Sequence, residues 1–316
     1  MLLNFLHHHE KFPTLIRAVA GDIDVSPTLV EKDYWVMHSL YGLQQMAFSF
    51  EFKGGTSLSK GYGIIERFSE DIDIRIEPPA EMTVAVNPKQ QKQRHVKSRQ
   101  DFYDWLADKI KIDGITSVNR APEFDDKMHY RNGGIRLHYD RCTDPLPGVR
   151  DDVLLEVGFA NVVPNTPRTI SSWVYDYAAE RIEIKDNRAV DVACYHPGYT
   201  FLEKLKAISA KFRRQQEKSG KIDFIRHYYD IYYLLFNSEV RDFIGTEDYK
   251  TYKKKCFGLA DNSVLAENEA FLMTDPEVRE IYARVFERPS NLFYRSRPSF
   301  EQIMETITEA TKIEGI

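Results

Sequence analysis

The sequence has no apolar run approaching the roughly 18–20 residues needed to cross a bilayer, which argues against a membrane-spanning helix. Its three cysteines, Cys142, Cys194 and Cys256, are widely spaced and odd in number, so they spell neither a disulfide framework nor a zinc motif. The stretch Met1–His9 lacks a basic segment followed by a long apolar one, so no secretory leader is expected. A cytoplasmic protein is the resulting expectation. An excess of positive charge is also missing: 43 Lys and Arg face 48 Asp and Glu, a net charge of −5. That balance excludes a protein that coats nucleic acid by bulk electrostatics. Internal repeats and low-complexity tracts are absent too.

What is there belongs to an ordinary globular protein. The 316 residues are 42% hydrophobic and 29% charged, enough for one large core or two modest ones. Helical spacing covers about residues 13–47, with Ser26-Pro27 starting a second helix. Glu31, Lys32 and Asp33 interrupt the apolar pattern there. Strand alternation follows at Phe48–Phe52, then a short helix, then a strand at Asp71–Ile76. A loop rich in proline leads to a helix at about 97–110, and strands are expected at Gly134–Tyr139, Val153–Phe159 and near Arg181–Ile184. From Tyr199 onward the pattern is helical. The expected division is 1–195, an α/β domain with N-terminal helices, and 196–316, an α-helical domain that closes a cleft.

Two short segments carry chemistry. In Phe52-Lys53-Gly54-Gly55-Thr56-Ser57 a strand ends at a glycine pair, where backbone can approach a ligand closely. Thr56 or Ser57 is expected to cap the helix that follows, whose free N–H groups suit a phosphate. In Asp71-Ile72-Asp73-Ile74 both carboxylates project from one face of a strand while the isoleucines pack on the other. Paired carboxylates facing a phosphate turn supply oxygen ligands for a hard divalent cation such as Mg2+. Each segment alone is commonly structural; the order and the helix-length spacer between them give the pair its meaning.

These segments resemble motif I of DNA-polymerase-β-like nucleotidyltransferases. More narrowly, Phe52–Lys60 with Arg67–Ile74 resembles the AbiEii-type family, nucleotidyltransferase toxins of type IV toxin–antitoxin and abortive-infection systems. Val30–Val36, Thr200–Leu205 and Arg226–Ile231 are similar to further blocks of that family, and Arg297–Phe300 extends the likeness. The resemblance implies a minimal nucleotidyltransferase fold, a mixed sheet flanked by helices with an α-helical C-terminal domain. It also implies two Mg2+ ions, with Mn2+ as a substitute, held by Asp71, Asp73 and a third acid on a neighbouring strand.

Glu156, alone in the apolar run Val153–Phe159, is the candidate for that acid, as general base or metal ligand. Gly54, Gly55, Thr56 and Ser57 would bind the triphosphate, and Lys204 would neutralise part of it. Thr200-x-x-Glu203 reads as a capping box, which puts Lys204 in the first turn of a helix, where the dipole disfavours a cation and an anion should compensate. Asp230 would orient Lys204 or Arg226, or assist deprotonation.

The implied reaction moves a nucleotide from a nucleoside triphosphate to an RNA hydroxyl, tRNA among the acceptors, with an antitoxin as partner. The alternatives are a nucleotidyltransferase acting on a small molecule or protein, and a non-catalytic nucleotide- or partner-binding module. Basic runs at Lys89–Arg99 and Lys204–Lys221 are compatible with RNA. His7-His8-His9 is too short and isolated to read as a metal site, since no further ligand is suggested nearby.

Overall fold

Two helices, α1 (Phe12–Ile23) and α2 (Pro27–Gln45), precede the first strand, and Pro27 stands at the first position of α2. Strand β1 (Phe50–Lys53) runs into α3 (Gly54–Thr56) and a wide helical turn at Ser57–Gly61, then β2 (Asp71–Ile76). Next come α4 (Gln93–Lys109), β3 (Ile115–Arg120), β4 (Asn132–Tyr139), β5 (Asp152–Gly158), β6 (Asn165–Ile170), α5 (Trp173–Ala179) and β7 (Ala189–Tyr195). The computed structural model describes residues 3–218, 221–257, 261–288, 290–295 and 297–313. The chain divides into two compact units, Met1–Gly63 with Arg67–Tyr195 and Ile64–Glu66 with His196–Ile316.

The first unit is a mixed sheet in the order β3-β4-β5-β2-β1-β7-β6, with β1/β7 and β2/β5 parallel and the other pairs antiparallel. Alternation decides its faces. Ile72, Ile74 and Ile76 of β2 join Val153, Leu155 and Val157 of β5 in one core with Tyr34, Leu40, Phe102 and Leu106. Helix α2 packs on β2, β5 and β7, and α4 on β3 and β4. The residues between, Asp71, Asp73 and Glu156, therefore belong to the other face.

The second unit is helical. It contains α6 (Pro197–Lys218), α7 (Arg226–Phe236), α8 (Ser238–Phe243), α9 (Glu247–Phe257), α10 (Glu269–Leu272), α11 (Pro276–Phe286) and α12 (Phe300–Ala310). Phe201, Leu205, Ile208 and Phe212 form a buried stripe along α6 at helical spacing. Helices α7, α8, α9 and α10 pack against α6.

Three local expectations are corrected. Residues 181–184 are not a strand; they follow α5 directly and are largely exposed, with no partner strand for their alternation. The edge strands β3 and β6 lie where none was expected, because an edge strand needs little apolar patterning and tolerates Pro167. The helix after β1 begins at Gly54 with Lys53 as N-cap, so Thr56 and Ser57 lie inside it and do not cap it.

Candidate active site

Asp73 lies on β2, the middle strand of the sheet. In register it stands opposite Lys53 of β1 on one side and Glu156 of β5 on the other. Asp71 precedes it on the same face, and all three acids are partly exposed. Gly54 has φ +79° and lies directly over Asp73: a Cβ there would sit 2.2 Å from the Asp73 Oδ2. Only glycine fits, on conformation and on space. Gly55 is tight as well, its missing Cβ falling 2.6 Å from the Ser69 Oγ and 3.0 Å from the Arg67 Nη2. The glycine pair thus brings backbone against the acid face. The donor set is all oxygen, and it fits a hard divalent cation.

Thr56 and Ser57 point elsewhere. The Thr56 hydroxyl is buried and donates to the backbone carbonyl of Asp71 at 2.5 Å and, more weakly, to that of Ser69 at 3.3 Å. It pins the start of β2 to the helix that follows the glycines. The Ser57 hydroxyl is also buried, beside Cys194. Thr56 thereby fixes the placement of the turn.

Arg150 was not anticipated. It comes from the turn between β4 and β5, and its guanidinium pairs with Asp71 and stands 3.6 Å from a Glu70 oxygen. Its own backbone is held firmly, the N–H donating to the Glu70 Oε2 at 2.9 Å and the carbonyl accepting from the Lys32 Nζ at 2.9 Å. A basic residue in a loop carries no sequence signal for such a role. Arg67 is 5% exposed and its Nη1 donates to the Phe68 carbonyl.

Behind the acid face lie three consecutive buried charges of α2, Glu31, Lys32 and Asp33, each 2% exposed or less. Each holds a different segment. Glu31 accepts from the backbone N–H groups of Cys142 and Thr143 at 2.7 and 3.0 Å. Lys32 donates to the carbonyls of Arg150 and Asp152, with Glu70 4.0 Å away. Asp33 pairs with Lys60 at 2.8 Å and accepts from the Trp173 N–H at 2.8 Å. Burial lowers the Lys32 pKa to about 8 against the opposing pull of Glu70, and burial raises that of Asp33 despite Lys60. The interruption seen in the sequence is a clamp on both ends of the Arg150 turn and on the helix after the glycines.

In the second unit Lys204 and Asp230 are brought together. The Lys204 ammonium donates to the Asp230 Oδ2 at 2.7 Å, with side chains 10% and 0% exposed. Helix α6 begins at Pro197, so Thr200 and Glu203 are interior and the expected capping box is not formed at the start. The His196 Nδ1 instead accepts from the Gly198 N–H at 3.1 Å. Lys204 is thus beyond the first turn, where the helix dipole weighs little, and its compensating anion is Asp230.

The basic runs are only partly available to a partner. Arg99 is buried and donates to the carbonyls of Ala85, Gln90 and His129, and Arg213 pairs with Asp261 and Glu217. Lys89, Lys92, Arg94, Arg214, Lys218 and Lys221 are exposed.

No curated protein matches the chain. The family model described as nucleotidyl transferase AbiEii toxin, type IV toxin–antitoxin system, matches residues 39–306. The match takes in the glycine turn, the acids of β2 and β5, and the Lys204–Asp230 pair; Val30–Val36, with the buried triplet, precedes it. With a glycine turn over paired strand carboxylates and a match over most of its length, the chain belongs to the AbiEii family of nucleotidyltransferase toxins.

Proposed function

We propose that the protein transfers a nucleoside monophosphate from a nucleoside triphosphate to a hydroxyl of RNA, tRNA included, in a Mg2+-dependent reaction. The observation that carries this reading is the register of Asp73 against Glu156 beneath Gly54, with Asp71 on the same face. Asp71, Asp73 and Glu156 would hold magnesium, or manganese in its place, which supplies charge stabilisation to the phosphoryl oxygens. The acceptor oxygen attacks the α-phosphorus, the bond from that phosphorus to the bridging oxygen breaks, and pyrophosphate leaves. Glu156 either takes the acceptor's proton or completes the ligand set, in which case the proton passes to solvent water.

The Gly54–Gly55 backbone lets the triphosphate approach the acids, and the Thr56 hydroxyl keeps the turn and β2 in register. Arg150 pairs with Asp71 and offers a cation to the incoming phosphates. Lys204 is assigned to the triphosphate, with Asp230 holding its ammonium. A type IV toxin implies a cognate antitoxin. An acceptor that is a small molecule or a protein is the competing reading, and the internal pairing of Arg99 and Arg213 favours it to that extent.

The test supplies triphosphates labelled at either the α- or the γ-phosphate, with RNA and Mg2+. Label from the α-position should enter RNA, none from the γ-position, and chelation should stop it. Replacing Arg214, Lys218 and Lys221 with Ala should flatten the salt dependence of RNA binding with little change in triphosphate affinity. Incorporation into protein or a small molecule in place of RNA would overturn the acceptor assignment.

A further inference from the structure

Far along the chain from the glycine turn, the first unit gathers a second set of ligating side chains. The 3₁₀ turn at Leu6–His8 carries two adjacent imidazoles, and the connection between α4 and β3 brings Asp113 to them. The His7 Nε2 and the His8 Nε2 both face the Asp113 Oδ1, at 3.2 and 2.6 Å. One ligand atom from each residue lies within 4.8 Å of the other two. Around a tetrahedral ion with bonds near 2.0–2.1 Å, ligand atoms are spaced by about 3.3 Å, so small side-chain rotations would close the set.

The surroundings are built to hold these three groups. Tyr34 and His38 stand one turn apart on α2 and serve one ligand each. The Tyr34 hydroxyl lies 2.7 Å from the His7 Nδ1, which directs the Nε2 of that ring toward Asp113. The His38 Nε2 lies 2.9 Å from the Asp113 carbonyl, while the Asn187 amide meets the His38 Nδ1 at 3.0 Å. Support of this kind, a hydrogen bond to the far nitrogen of a ligating imidazole, is what fixes a metal ligand's tautomer and aim. Gly114, at φ +78°, lets the loop pass so close that a Cβ would fall 2.8 Å from the His7 Nε2. The His7 side chain is 4% exposed, whereas His8 and Asp113 are 48% exposed, so one flank of the cluster is covered and the other is open. His7 and His8 line a pocket of about 550 Å³ together with Glu10, Asp140 and Cys142.

We infer that His7, His8 and Asp113 form a second metal site, for a divalent ion of the zinc class, separate from the oxygen-lined acids of β2 and β5. Two imidazole nitrogens and one carboxylate suit a late first-row ion and not magnesium, which prefers oxygen throughout. Its fourth position is left to water from the pocket. The ion would fasten the N-terminal turn to the α4–β3 connection, two segments that already meet through His7, His8 and Asp113.

Cobalt, whose visible absorption reports nitrogen ligation, is the probe, titrated into the full chain with millimolar Mg2+ present to occupy all-oxygen sites. The expected result is one equivalent of Co2+ with d–d bands, displaced by one equivalent of Zn2+. His8→Gln and Asp113→Asn, both at exposed positions, should each weaken Co2+ binding at least tenfold with unchanged far-ultraviolet circular dichroism. No saturable absorption at stoichiometric Co2+ would overturn the assignment. So would a spectrum and affinity unchanged in both variants, since the ion would then sit elsewhere.

Discussion

Glu70 and Asp71 are neighbours in the chain, yet they fall on opposite sides of a division that runs through the whole first unit. Glu70 is 6% exposed and accepts the Arg150 N–H, whereas the Asp71 side chain is 29% exposed and pairs with the Arg150 guanidinium. Glu31, Lys32 and Asp33 side with Glu70: buried, matched by backbone groups and one lysine, and tied to segments far away in sequence. Asp73 and Glu156 side with Asp71, partly open on a strand face under a glycine. Burial with internal partners makes a charge a strut, because moving it would expose a desolvated group. Partial exposure leaves carboxylate lone pairs within reach of a cation. The residue types are the same; the environment assigns the work.

The struts should fail first in stability. Lys32→Met keeps the volume and removes the charge, leaving the buried carbonyls of Arg150 and Asp152 without their donor. The expected loss is about 3–5 kcal/mol in chemical denaturation. A loss below about 1 kcal/mol would place Lys32 outside the clamp.

Lys204 and Asp230 are the pair that can break the comparison, since they are buried like struts and yet assigned to the reaction. Losing either charge alone should destabilise by about 3–5 kcal/mol, and the double change Lys204→Met with Asp230→Leu should recover most of it. Transfer by the double variant should remain below a hundredth of the wild-type rate. A stable double variant with wild-type transfer would make the pair a strut and nothing more.

A smaller effect follows from His38, which is 1% exposed and whose pKa is lowered from 6.5 to about 4 by burial and the neighbouring His7. The unfolded chain binds this proton at higher pH than the folded one. The stability it concerns is fully present above pH 6.5 and is lost as pH falls toward 4, by up to about 3 kcal/mol. Below about pH 4 both states are protonated and the contribution levels off. His38→Gln should flatten that part of the stability–pH curve, and an unchanged slope would mean that other groups carry it.

Much of this division is not readable from sequence, for reasons that differ by residue. The strand Asp71–Ile76 is legible because its period of two is uninterrupted, and the glycine pair because close backbone approach needs it. Glu31, Lys32 and Asp33 interrupt a helical pattern, and periodicity assigns charges to solvent; only tertiary partners 27–140 residues away reveal them as core. Arg150 lies in a turn without pattern. Asp113 is 105 residues from His8, so three adjacent histidines looked isolated when their partner was simply distant. Thr56 shows a further limit: sequence places it at the phosphate turn, but the direction of its hydroxyl, toward the Asp71 carbonyl, is a property of the folded loop.

The central claim is that the half-exposed acids of β2 do chemistry and do not hold the fold. Asp73→Asn tests it most directly, measured as metal-dependent nucleotide transfer alongside melting temperature. The account predicts transfer reduced by at least about a thousandfold, the scale of losing a principal charge-stabilising group. It also predicts a melting temperature equal to or above that of the wild type, because clustered negative charge is relieved. Near wild-type transfer, or a loss of activity that merely follows a loss of folded protein, would contradict it.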